Sequence, residues 1–155
     1  MRVIKRSGSV VLGFVLFGMA AFFQASAVLA QEQPAPPAQA APLSLELNAV
    51  QPSEKGCRLT FVVNNGLDTT LSRAAFEIVL FDKAGVVDRI TVLEFKELTA
   101  DKTKVSRFDL AGVDCAKLGR VLVNAVTDCV GDGVSAETCS RQLKTASKAG
   151  IEFGT

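Results

Sequence analysis

Four cysteines, Cys57, Cys115, Cys129 and Cys139, and a scatter of carboxylates are the side chains with most capacity for chemistry in this 155-residue chain, which holds no histidine. Without an imidazole, a nucleophilic serine or cysteine needs a lysine or a carboxylate as its base. Ser72, Ser106, Ser135 and Ser140 carry no flanking signature such as Gly-x-Ser-x-Gly. No two cysteines stand at the Cys-x-x-Cys spacing of zinc sites and redox pairs, so neither a metal nor a reactive thiol is expected. Glu77, Asp82 and Asp88 fall around one turn, but two-carboxylate hydrolysis needs a fixed separation that this spacing does not supply. Asp128, Asp132 and Glu137 share a loop that lacks the alternating acidic spacing of a dedicated calcium loop. The expectation is a protein without catalytic residues, cofactor or metal. A small-ligand or cation-binding protein using these acidic loops is the alternative.

Asp82 illustrates the choice. It ends the apolar run "AAFEIVLF" and stands three residues before Gly85, where an aspartate caps a turn by accepting backbone N–H groups. That run is one of several strands signalled by alternation with a period of two. Leu43, Leu45, Leu47 and Ala49 alternate with polar residues, as do Cys57, Leu59, Phe61 and Val63. Ala74, Phe76, Ile78 and Leu80 form a third apolar face, and the opposite side of that strand, Ala75, Glu77, Val79 and Phe81, is half apolar. In the returning strand, Val86 to Phe95, the alternation slips between Val92 and Leu93, which predicts a β-bulge or a step between sheets there. Further strands are predicted at about 105–110, at Val121, Val123, Ala125 and Thr127, and at about 142–153, with a short helical turn around Cys115 to Leu118. About seven short strands with turns between them, and almost no helical periodicity, predict an all-β, immunoglobulin-like antiparallel β-sandwich.

The N-terminus places this sandwich in a compartment. Arg2, Lys5 and Arg6 precede the uncharged run Val10 to Phe23, and the small-residue segment "ASAVLA" follows, which is the order of a cleavable secretory signal peptide. Cleavage is expected after Ala30, with Ala27 as the other exit. There is no twin arginine and no cysteine in the segment, so general export without lipidation is expected. Residues 31–42, "QEQPAPPAQAAP", have no large apolar side chain to offset ordering entropy and read as a flexible linker. The folded domain is then 43–155, about 110 residues and the usual size of one β-sandwich. Without the three basic residues of the leader the chain carries 14 basic against 16 acidic side chains, a net charge of −2. This is not the surface of a nucleic-acid-binding protein, and contact with a membrane is expected only through the signal segment before cleavage.

An even set of cysteines in an exported chain predicts two disulfides, with three possible connectivities. Strand order selects one. In an immunoglobulin-like sandwich the second and fifth strands are antiparallel neighbours, so Cys57, opening the second, meets Cys115, just past the fifth. Cys129 ends the sixth strand and Cys139 precedes the seventh, so their bond closes "VGDGVSAET" at a hairpin.

The segment "LTFVVNNGLDTTLSRAAFEIVLFDKAGVVDRITV", residues 59–92, resembles the FxLYD-type domains, small immunoglobulin-like sandwiches of exported and membrane-anchored bacterial proteins. The resemblance rests on the strand closing at Asn64 and Asn65 and on Phe76, Leu80, Phe81, Asp82 and Gly85; "LTADKTKVSRFDL" resembles the part that follows. The cysteines and "LGRVLVNAV" depart from that pattern and are similar instead to small exported proteins of Gram-negative bacteria. The resemblance implies a non-catalytic periplasmic interaction or accessory module with an envelope protein as partner. Val79 and Phe81 are the candidate interaction face, Phe81 being the one exposed-aromatic candidate.

Overall fold

The computed structural model describes residues 42–155; the expected signal peptide and all but the last residue of the expected linker lie outside the described residues. The chain forms β1 (Leu43–Ser53), β2 (Gly56–Asn65), β3 (Leu71–Asp82), β4 (Val87–Leu98), β5 (Lys102–Ala111), β6 (Leu118–Val130), α1 (Ala136–Gln142), β7 (Lys144–Ser147) and β8 (Glu152–Gly154). They build two four-stranded sheets, ordered β5-β2-β1-β7 and β4-β3-β6-β8. This is an all-β sandwich, as the alternation predicts. It has eight strands rather than about seven, and its sheets are mixed, because β1 pairs with β7 and β6 with β8 in parallel.

The core forms where one side of each strand is apolar. Leu43, Leu45 and Leu47 of β1, Leu59, Phe61 and Val63 of β2, and Phe76, Ile78 and Leu80 of β3 are buried between the sheets. Five phenylalanines tie the layers together: Phe61 meets Phe95, Phe108 and Phe153 edge to face, and Phe95 also meets Phe76 and Phe108, with ring centroids 5.0–6.0 Å apart. Phe61 and Phe108 belong to the first sheet and the other three to the second. Such T-shaped pairs add specificity of placement to their area burial.

Extra residues on one strand move the apolar faces. A register shift at Asn48 in β1 turns Val50, not Ala49, toward the core. In β6, Asn124 and Thr127 are unpaired with β3, so Val126 packs inward while Ala125 and Thr127 lie exposed. The slip expected at Val92 and Leu93 is not a bulge: these residues pair consecutively with Glu77 and Phe76. β4 is an edge strand whose Leu93 and Phe95 face the core and whose Ile90 and Val92 face solvent. Its register shifts fall instead around Asp88 and Phe95.

The C-terminal region differs most from the expectation. The residues expected to form one strand over 142–153 make two short ones in different sheets, separated by a bend that carries Gly150 at φ +77°. The turn at Asp114–Lys117 is held by Lys117 N–H on the Asp114 carbonyl and is not a helix. The one helix among the described residues is α1, inside the loop read as a hairpin; Ser135 caps it by accepting the Thr138 N–H.

Gly56, at the start of β2, has φ +147°, and an added Cβ would lie 2.4 Å from the Leu110 carbonyl oxygen. Gly56→Ala is expected to cost about 2 kcal/mol through backbone strain and forced separation of β2 from β5. Urea unfolding followed by far-ultraviolet circular dichroism checks this, since the chain has no tryptophan or tyrosine for fluorescence.

Candidate functional site

The side chains singled out for chemistry are largely committed to holding the fold. Cys57 is bonded to Cys115, with Cα atoms 5.0 Å apart, and Cys129 to Cys139, 6.4 Å apart, leaving no free thiol. The first bond ties the start of β2 to the turn after β5, whose Leu110 pairs with Cys57. The second links the end of β6 to α1. Asp82 caps its turn: its Oδ1 accepts from the Ala84 and Val86 N–H groups at 2.8 and 2.9 Å. Glu77 accepts from Asn124 on the neighbouring strand. Asp128 is paired with Arg73 at 2.6 Å and Glu137 with Arg141 at 3.0 Å. Asp132 lies in a separate shallow cleft with Leu67, Asp68 and Gln142. Asp82, Asp88 and Asp114 border one cleft with Lys117. Among the described residues no group of three or more acidic or cysteine side chains is placed to hold a metal ion.

The two outer faces differ in character. That of the first sheet is mostly polar, with several of its charges paired, although Val105 is exposed there. Arg58 donates two hydrogen bonds to Asp109 at 2.9 and 3.1 Å, Asn64 donates to Thr103, and Lys148 pairs with Glu46 at 3.0 Å. The Arg58 guanidinium holds the Asp109 carboxyl below its ordinary range. Hydrogen bonds from Asn48 and then Lys148 do the same for Glu46. The Asp109 carboxyl resonance is therefore expected to titrate below that of an ordinary aspartate and to move up in Arg58→Met. With its folded pKa depressed, the stability Asp109 contributes is present above the unfolded value, about 4, and is lost as pH falls through the folded value.

The outer face of the second sheet is apolar at one edge. Val79, one of the two expected interaction residues, is only 5 % exposed, between Ile90 of β4 and Leu122 of β6. Phe81 is half-buried, with the Arg120 guanidinium 5.4 Å from its ring centroid. Four of the six exposed large aliphatic side chains among the described residues are on the next strand and in the turn that leads to it: Val86 at 60 %, Val87 at 49 %, Ile90 at 59 % and Val92 at 53 %; the others are Val105 on β5 and Val130 at the end of β6. Val87 lies opposite Phe81, Ile90 opposite Val79 and Val92 opposite Glu77. The structure therefore places Val79 and Phe81 behind an apolar strip rather than on it. The slip in alternation along β4 was the sequence signal for that strip.

No family model, no curated protein and no solved structure matches the chain. Two disulfides are at home in an oxidising compartment. Among the described residues no helix is long and apolar enough to cross a membrane.

Proposed function

We propose that this chain is a non-catalytic interaction or accessory module of the periplasm, exported by a signal peptide cleaved after Ala30 and working through protein contacts with an envelope partner. The observation that carries this reading is the strip Val86, Val87, Ile90 and Val92, left in solvent along an edge strand and the turn that leads into it. Several aliphatic side chains adjoining in solvent mark an interaction surface, whereas scattered ones do not. The commitment of the cysteines, Asp82, Asp128 and Glu137 to bonds within the fold supports the same reading. So does the FxLYD-like pattern around Phe76 to Gly85, whose residues here serve the core and a turn.

The test is the intact mass of the protein from a periplasmic extract, followed by photo-crosslinking from the second sheet. A chain beginning at Gln31 and four hydrogens lighter than its reduced form, giving a reproducible adduct with another envelope protein, is expected. An uncleaved chain with free thiols, or one that gives no protein adduct from any surface position, would overturn the proposal.

A further inference from the structure

We infer that Asn65 and Gly66 form a modification site that the fold conceals: a released chain deamidates there, through a cyclic imide, to aspartate and isoaspartate, and neither product restores this end of the sandwich. The native structure is the state that keeps the amide, whatever partner the module contacts, and residue 65 records how long a chain has stood open.

Asn65 is one of four asparagines and the one followed by glycine. In a released chain the main-chain nitrogen of Gly66, having lost its proton to hydroxide, attacks Cγ of Asn65. The new C–N bond closes a five-membered imide, the bond from Cγ to Nδ2 breaks, and ammonia leaves. Water then opens the imide at one of its two carbonyls. Opening at Cγ gives aspartate, and opening at the former main-chain carbonyl gives isoaspartate, whose main chain runs through Cβ and Cγ. The sum is asparagine and water going to the acid and ammonia, with no change of oxidation state. Asn48 and Asn124 precede alanine and Asn64 precedes asparagine, so a side chain stands beside the attacking nitrogen in each case. Gly66 has none and lets the chain bend.

Folding removes each requirement. Ring closure brings Cβ of Asn65 and the Gly66 nitrogen to the same side of the Cα–C bond, and an extended residue holds them apart. Asn65 is fixed as a strand residue from both sides, paired with Leu43 of β1 and Lys102 of β5, and its carbonyl accepts the Asp101 N–H at 2.8 Å. The amide is fixed as well. Nδ2 donates to the Thr69 and Leu98 carbonyls, and Oδ1 accepts the Leu67 N–H, one residue past the nitrogen that would attack. Asn65, Gly66 and Leu67 are buried, Asn65 completely, which keeps out the hydroxide and water that the two steps consume. The products do not fit the same place. Aspartate turns a carboxylate toward two carbonyl oxygens and no longer donates to both. Isoaspartate adds a carbon to the main chain of a strand that lies between two others, which breaks its register with β1 and β5 at once.

The experiment compares two samples of the exported chain at the same mildly alkaline pH and temperature, one folded and oxidised, the other held in guanidinium chloride with a thiol reductant. Both are digested at intervals and followed by mass spectrometry, with electron-transfer fragmentation separating aspartate from isoaspartate. The unfolded chain is expected to gain acid at residue 65 before Asn48, Asn64 or Asn124, and Gly66→Ala to slow this in the same unfolded state. The folded chain should react at least about a hundredfold more slowly, as the small population of an opened core segment requires. On refolding a partly reacted sample in a thiol–disulfide buffer, the fraction that regains the four-hydrogen mass deficit and resists protease should be depleted of both acids. If the parent refolds poorly, Asn65→Asp made directly should be cleaved faster than the parent at neutral pH. Comparable rates in the folded and unfolded chains, no preference for residue 65 in the unfolded chain, or acid-bearing chains as protease-resistant as those with the amide would each overturn the inference.

Discussion

Replacing Cys57 and Cys115 together by alanine lowers the unfolding free energy by about 4 kcal/mol, whereas the same change at Cys129 and Cys139 costs about 2.5–3 kcal/mol. The order follows from chain entropy: the first bond spans 58 residues and the second 10, so it removes more freedom from the unfolded chain. Cys57 sits in the core between β1 and β5, and without the bond the Asp114–Lys117 turn loses its covalent tie to β2. Paired urea titrations of the two double variants and the parent decide the matter, read by circular dichroism. Equal losses, or a larger loss at Cys129 and Cys139, would show that the bonds act through the folded state rather than through the unfolded chain. A thiol reductant, which opens both bonds, should destabilise the parent protein by more than either double variant, which is the physical sense in which this fold suits an oxidising compartment.

What could be read from residue order, and what could not, follows from how much of each strand is buried on one side only. The inner faces of β1, β2 and β3 were legible because a single apolar face alternates with polar residues along most of their length. Bulges were not. At Asn48 and Asn124 the shift exchanges one apolar residue for its apolar neighbour, Ala49 for Val50 and Ala125 for Val126, and alternation cannot tell such neighbours apart. The slip in β4 was visible but misassigned, because a bulge and an aliphatic strip on a solvent-facing edge leave the same mark, and strand pairing is needed to separate them. Helix α1 has only seven residues with one buried side chain, Cys139, too little for a 3.6-residue period to register. The apolar strip was half legible: the apolar outer side of β3 pointed to the sheet that carries it, but the exposed residues belong to the strand that pairs with β3.

Asn65→Leu should cost about 3–5 kcal/mol although it replaces a polar side chain in the core by an apolar one. Asn65 is fully buried at the end of β2 and uses its whole amide. Its Nδ2 donates to the Thr69 carbonyl at 3.0 Å and to the Leu98 carbonyl at 2.8 Å, and its Oδ1 accepts the Leu67 N–H at 3.1 Å. One side chain thus fastens the loop between β2 and β3 to the end of β4, and its own backbone carbonyl accepts the Asp101 N–H. Leucine leaves the buried Leu98 carbonyl, the part-buried Thr69 carbonyl and the buried Leu67 N–H without the Asn65 amide, and a buried orphan costs more than an intact hydrogen bond contributes. Asn65→Asp separates this account from a simple loss of packing, because aspartate has nearly the same shape. Its carboxylate would face two carbonyl oxygens, so its folded pKa should rise above the unfolded value of about 3.9. A raised carboxyl pKa means that the variant is least impaired at low pH, where the protonated acid can still donate one hydrogen bond. Stability should then fall as pH rises through the unfolded pKa, until the folded pKa is passed. Urea midpoints of Asn65→Asp relative to the parent, measured between about pH 4 and pH 7, should therefore diverge as pH increases. A constant offset across that range would mean that the amide donates nothing essential to the Thr69 and Leu98 carbonyls, and that the packing of the loop alone holds this end of the sandwich.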